Sequence, residues 1–176
     1  MKKPFCLLLV ACASLAVPAH AAPKTVITSL PFAITTAGTY VLKSDLNCPS
    51  GVDGIHITAD ADGPIILDLD GHTITGPGDE YTAGVTIGNI SVTAPLPEQE
   101  NTYPITVRNG ILKNFTAGVF VSIATATGAV AYASDITLSH LEIDASTAEN
   151  SFAISFYHVN SSTVKGCTLG HDSTSI

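Results

Sequence analysis

The sequence predicts an all-β chain built from short, repeated strands. Three observations carry this. Isoleucine, valine and threonine, whose branched Cβ suits a pleated strand, number 16, 13 and 21 of 176 residues. Apolar and polar residues alternate over short runs, the period of a strand with one buried face. The alternating runs return along the chain in similar form, and 14 glycines and 10 prolines break them into short segments. Only 12% of the residues are charged and 45% are apolar, which excludes a disordered polyelectrolyte. No apolar run reaches the ~18 residues of a membrane-spanning helix.

At the N-terminus, Lys2 and Lys3 precede an apolar stretch from Phe5 to Val17, followed by Ala19-His20-Ala21. A charged start, a short apolar run and an A-x-A site describe a secretory signal peptide over residues 1–21. The competing reading is a bacterial lipobox, Leu9-Val10-Ala11-Cys12, which would make Cys12 a lipidated N-terminus. A buried N-terminal helix fits less well, because no later segment has a helical period for it to pack on. The expected location is secreted, periplasmic or at the cell surface. Residues 22–50 are expected to cover the N-terminal edge of a repeat region spanning 51–176, whose C-terminal end is read as truncated.

Removal of the leader with its two lysines takes the formal charge from −8 to −10. A chain this acidic repels nucleic acid and anionic lipid. It also repels an acidic polysaccharide unless a basic patch or a bound divalent cation compensates.

Each repeat has two parts. The first is a small residue followed by apolar-x-apolar: Gly54-Ile55-His56-Ile57, Gly84-Val85-Thr86-Ile87, Gly118-Val119-Phe120-Val121 and Ala153-Ile154-Ser155-Phe156. The second is apolar-x-apolar with another apolar residue five positions on. It occurs as Leu67, Leu69, Ile74; as Ile105, Val107, Leu112; as Ile136, Leu138, Ile143; and, less completely, as Val164, Leu169. Leu69 to Val107 spans 38 residues, Val107 to Leu138 spans 31 and Leu138 to Val164 spans 26. The shortest spacing suits one coil of a parallel β-helix, and the excess forms loops, among them a proline-broken segment at about 89–103. A β-sandwich also uses short strands, but does not require apolar positions to recur in register. About four coils are expected, stacked at ~4.8 Å. Their interior columns would be Ile55/Val85/Val119/Ile154, Leu69/Val107/Leu138/Val164 and Ile74/Leu112/Ile143/Leu169. His72 would join the interior beside Gly110, Leu141 and Cys167. The last coil would be open at its outer edge, so self-association there is expected.

Cys48 and Cys167 are the cysteines outside the leader. Two cysteines in an exported chain suggest a disulfide by arithmetic. About four coils at ~4.8 Å place them beyond the ~7 Å that a bridge tolerates, so both should be free.

The segments Leu67-Asp68-Leu69-Asp70-Gly71-His72-Thr73-Ile74-Thr75-Gly76 and Ile105-Thr106-Val107-Arg108-Asn109-Gly110-Ile111-Leu112-Lys113-Asn114-Phe115 resemble the first coils of right-handed parallel β-helix proteins of the pectate-lyase-like superfamily. Ile34-Thr35-Thr36-Ala37-Gly38-Thr39-Tyr40-Val41-Leu42 is similar to the segment leading into those coils. The resemblance covers about residues 26–169 and implies a right-handed coil. It also implies an outward face that binds polysaccharide. In a lyase of this kind, carboxylates hold Ca²⁺ against a uronate and a basic residue takes the proton α to it. Asp68 and Asp70 would then be ligands, and Arg108 and Lys165 bases or anchors. The plainer alternative is a surface ion pair between Asp70 and Arg108, placed in one outward column with Ser139 and Lys165, while Asp68 shares the next with Thr106, Thr137 and Thr163.

The departures from that superfamily weigh against catalysis. The three-aspartate cluster of its glycoside hydrolases is absent, and Arg108 is the only arginine, so the two-arginine signature of its lyases is absent too. There is no tryptophan, which leaves Tyr81, Tyr103, Tyr132 and Tyr157 for sugar stacking. Asp60 and Asp62 begin a turn like that of a calcium loop, but the distal glutamate is missing. No cofactor motif is evident, and Ca²⁺ is the one ion these carboxylates suggest. The expected function is an exported, polysaccharide-associated or cell-surface binding scaffold. A lyase or hydrolase with catalytic coils elsewhere, and a repeat segment of an adhesin, are the rivals.

Overall fold

The computed structural model describes residues 24–58, 62–78, 81–88, 103–122, 133–146 and 150–171. The expected leader, Cys12, Asp60 and Tyr132 lie outside them. The described residues form strands without a helix. Nine strands make one sheet: β1 (Lys24–Ile27), β3 (Gly38–Leu42), β4 (Leu46–Asn47), β6 (Ile65–Asp68), β7 (Thr73–Thr75), β9 (Ile105–Phe115), β11 (Ile136–Ala145), β13 (Thr163–Lys165) and β14 (Thr168–His171). Five make a second: β2 (Phe32–Ile34), β5 (Ile55–Ile57), β8 (Ala83–Ile87), β10 (Ala117–Ser122) and β12 (Phe152–Tyr157). Every strand pairing is parallel. The chain passes repeatedly from one sheet to the other, so each pass lays its strands beside those of the pass before.

The strands form because their alternating apolar residues meet in register between the sheets. In the smaller sheet, Phe32, Ile55, Val85, Val119 and Ile154 are successive partners. In the larger sheet, Leu46, Ile74, Leu112, Ile143 and Leu169 form a second column. Ile55, Val85, Val119, Ile74, Leu112 and Ile143 are completely buried. Burying each contributes about 1.5–3 kcal/mol by apolar transfer. Residues 24–47 belong to the same ladders, with β1 on β3, β2 on β5 and β4 on β7.

One expected column is shifted by two residues. Val107 pairs with Leu67, not Leu69, and the column runs Tyr40, Leu67, Val107, Leu138, Val164. The cause is a two-residue insertion that interrupts this pass between β6 and β7, where β9 runs straight through. Asp70 and Gly71 both have positive φ, 51° and 83°, and the His72 N–H donates to the Leu69 carbonyl at 2.8 Å. These are the marks of a tight primed turn, for which an Asp-Gly pair is suited. The turn folds Leu69 inward, where it is completely buried. It occupies the space above Gly110: a Cβ there would strike the Leu69 side chain and the His72 carbonyl. His72, expected inside, is displaced outward, and its side chain is 32% exposed.

Cys48 and Cys167 are both free. Cys48 follows β4 and Cys167 precedes β14, and the ladder from β4 to β14 runs through β7, β9 and β11. The inward columns lose their cover in the last described pass. Phe152, Phe156, Val164 and Leu169 are 40–51% exposed.

Candidate functional site

The outward face of the larger sheet carries the chemistry. The register correction changes its columns. Asp68, Arg108, Ser139 and Lys165 align in one, and Ile66, Thr106, Thr137 and Thr163 align in its neighbour. The expected Asp70–Arg108 pair does not form, because the inserted turn carries Asp70 past that column.

Asp68 is the hub instead. Its Oδ2 accepts from Arg108 Nη2 at 2.9 Å and Nε at 3.0 Å. Its Oδ1 accepts from the Asp70 N–H at 3.0 Å and Asn109 Nδ2 at 3.1 Å. Four donors fill the carboxylate, with both Arg108 nitrogens converging on Oδ2 in a charge-assisted contact. Asp70 pairs with Lys43 at 2.8 Å, and that hydrogen bond and charge hold its carboxyl below the ordinary aspartate value. Asp45 accepts from the Thr73 N–H at 2.9 Å and lies 3.2 Å from His72 Nδ1. The Thr73 bond first, then His72, lowers its pKa as well. Lys43 and Asp45 escaped sequence reading because their segment lacks the repeat pattern.

Neither Asp68 nor Asp70 is left unoccupied. Asp68 has no free oxygen to offer a cation, and Asp70 already faces an ammonium group. Lys165 is exposed and stands two ladder steps from Arg108. Asp62 is exposed, and no group of three His, Cys, Asp or Glu among the described residues could hold a metal ion.

What the face does provide is a groove of about 420 Å³ running across the passes. It follows the bend where each strand changes direction. At that bend Asn109, His140 and Gly166 occupy equivalent positions, each with positive φ: 58°, 53° and 61°. Beside them runs an outward column of Thr73, Ile111, Glu142 and Thr168. Ile111, Glu142 and Thr168 line the groove, together with Asn109 and His140. His140 and Glu142 project outward and are exposed. The equivalence of His140 with Asn109 was legible from the repeat. The groove was not, since it depends on the inserted turn opening at Gly71. The exposed Tyr81, Tyr103 and Tyr157 lie outside this lining.

Comparison with family models, with curated protein sequences and with solved structures found no match to this chain.

Proposed function

We propose that the chain is a right-handed parallel β-helix, exported from the cell, that serves as a polysaccharide-associated or cell-surface binding scaffold. The β-helix reading is supported by two all-parallel ladders visited in alternation and by continuous inward columns. Export is supported by the signal-like residues 1–21. The observation that favours binding over catalysis at the Asp68–Asp70 pair is that Asp68 is filled by four donors and Asp70 is paired with Lys43. A general base or metal ligand needs a free lone pair, whereas a rigid face with repeated polar columns needs none. Function does not follow from fold, so the binding role rests on that face and its groove.

Affinity electrophoresis of the full chain through gels that contain neutral or acidic polysaccharides tests the role. Retardation by at least one polymer is expected. Unchanged mobility in every gel, together with no retention on insoluble cell-wall material, would overturn it.

A further inference from the structure

We propose that the groove at the bend takes an uncharged, hydroxyl-rich glycan chain laid across the passes, with Glu142 and His140 as its central polar contacts. This rests on the binding role above and names its ligand class and site.

Direction comes from the register. The lining comes from four successive passes, through Gly71, Asn109, His140 and Gly166 along the bend. A long ligand placed there crosses the strands and meets a new set of side chains about every 4.8 Å. The two ends of the row are glycines. A Cβ at Gly71 would enter open space, and the His140 ring lies beside Gly166. The groove is therefore open at its Gly71 end and crosses successive passes, as an extended chain requires.

Ligand class comes from the donor and acceptor set. Glu142 and His140 have no hydrogen-bond or ion-pair partner among the described residues, unlike Asp45, Asp68, Asp70 and His72, which neutralise or are neutralised by neighbours. A carboxylate accepts from two adjacent hydroxyls. Asn109 spends one amide hydrogen on Asp68 and keeps its carbonyl oxygen. Thr168 adds a hydroxyl, and Ile111 adds an apolar surface for the C–H face of a sugar ring. Glu142 is the one carboxylate in the lining, and the whole chain carries −8. Lys113 and Lys165 stand in the two flanking outward columns, but Asp144 is the register partner of Lys113. A uronate polymer would bring its charges against Glu142 without a lysine or arginine in the lining to answer them.

Titration calorimetry of the full chain with a β-glucan, a mannan, an arabinoxylan and polygalacturonate tests this. Glu142→Gln and His140→Asn are the groove variants; asparagine keeps the positive φ of position 140 accessible. Asp62→Asn is the control. Binding of at least one neutral polymer is expected. It should weaken about tenfold in Glu142→Gln, the scale of a lost hydrogen bond to a charged group, and stay unchanged in Asp62→Asn. Neutral binding that is identical in all variants overturns the groove assignment and leaves the scaffold role standing. Preference for polygalacturonate overturns the ligand class alone. Binding of none of the four overturns the groove's ligand class, and the electrophoresis and cell-wall retention above then decide the scaffold role separately.

Discussion

Leu69 lies over Gly110, one pass further along the chain, so closely that a single methyl on the glycine would strike the leucine. This contact locks the inserted turn to the ladder and sets the outward register of Asp68 and Arg108. Gly110→Ala should therefore destabilise the fold by about 1–3 kcal/mol through overpacking. Gly71→Ala meets no side chain but must hold φ near +83°, at a cost of about 1–2 kcal/mol. The pair Gly110→Ala and Leu69→Gly, which takes away the Cβ that the new methyl meets, should be less destabilised than the sum of the two single changes. Urea unfolding of the four variants checks this; strict additivity would show that the contact does not exist.

Val107 and Thr106 test the alternation one residue apart. Val107 is completely buried between Leu67 and Leu138, and Thr106 faces outward. Val107→Asp should cost about 4 kcal/mol or more by burying an unpaired charge. Thr106→Asp should stay within about 1 kcal/mol. Circular dichroism melts of both proteins decide; equal losses would contradict the register.

Acid should weaken the fold through Asp70 and Asp45. Both carboxyls sit below the ordinary value of 3.8, Asp70 through Lys43 and Asp45 through the Thr73 N–H and His72. A depressed carboxyl contributes stability above its unfolded pKa and loses it as pH falls through the lower folded one. Both groups are at the surface, so solvent screens the effect. Unfolding midpoints from pH 6 down to pH 2 should fall less steeply in Asp70→Asn and Asp45→Asn than in the wild type. A steeper acid limb in either variant would contradict the assignment.

The two cysteines should differ in reactivity. Cys48 is buried, with Sγ donating to the Val52 carbonyl at 3.3 Å, and burial followed by the Asp53 charge pushes its thiol pKa up. Cys167 is partly exposed. A thiol reagent at pH 8 should label Cys167 first, and both should label in urea without reductant. A Cys48–Cys167 disulfide recovered from the unfolded chain would contradict the ladder that separates them.

Much of the inward face was legible in the sequence, because burial leaves a period that needs no tertiary information. Ile55, Val85, Val119 and Ile154, and likewise Ile74, Leu112, Ile143 and Leu169, were placed in their correct columns. The error at Leu69 arose because Leu67 and Leu69 both point inward, so that Leu67-Asp68-Leu69 imitates the Ile105-Thr106-Val107 run. Only the turn at Asp70-Gly71 breaks the tie. The outward face inherits that error, which is why Arg108 was given Asp70 in place of Asp68. Outward residues have no periodic signature of their own, and partners such as Lys43 and Asp45 are set by geometry alone. His140 could be placed at the bend from its equivalence with Asn109, but the groove beside it needs the register of four passes at once.

The edge strands should be the least protected. Among the described residues β12, β13 and β14 have partners on one side only, and Phe152, Val164 and Leu169 are about half exposed. Their amides should exchange well before those of β9 and β10. If a second copy adds its strands here, protection of 152–171 should rise with protein concentration as the measured mass increases. Concentration-independent mass with full protection of these strands would contradict an open edge.

The bend groove is proposed here as the face of the molecule that meets its ligand. Amide chemical shifts of the isotope-labelled chain, recorded while a neutral polysaccharide is added, test it most directly. Shifts confined to Asn109–Ile111, His140–Glu142 and Gly166–Thr168 are predicted. Shifts that spare these residues and cluster on the smaller sheet would place the ligand elsewhere and overturn the groove assignment.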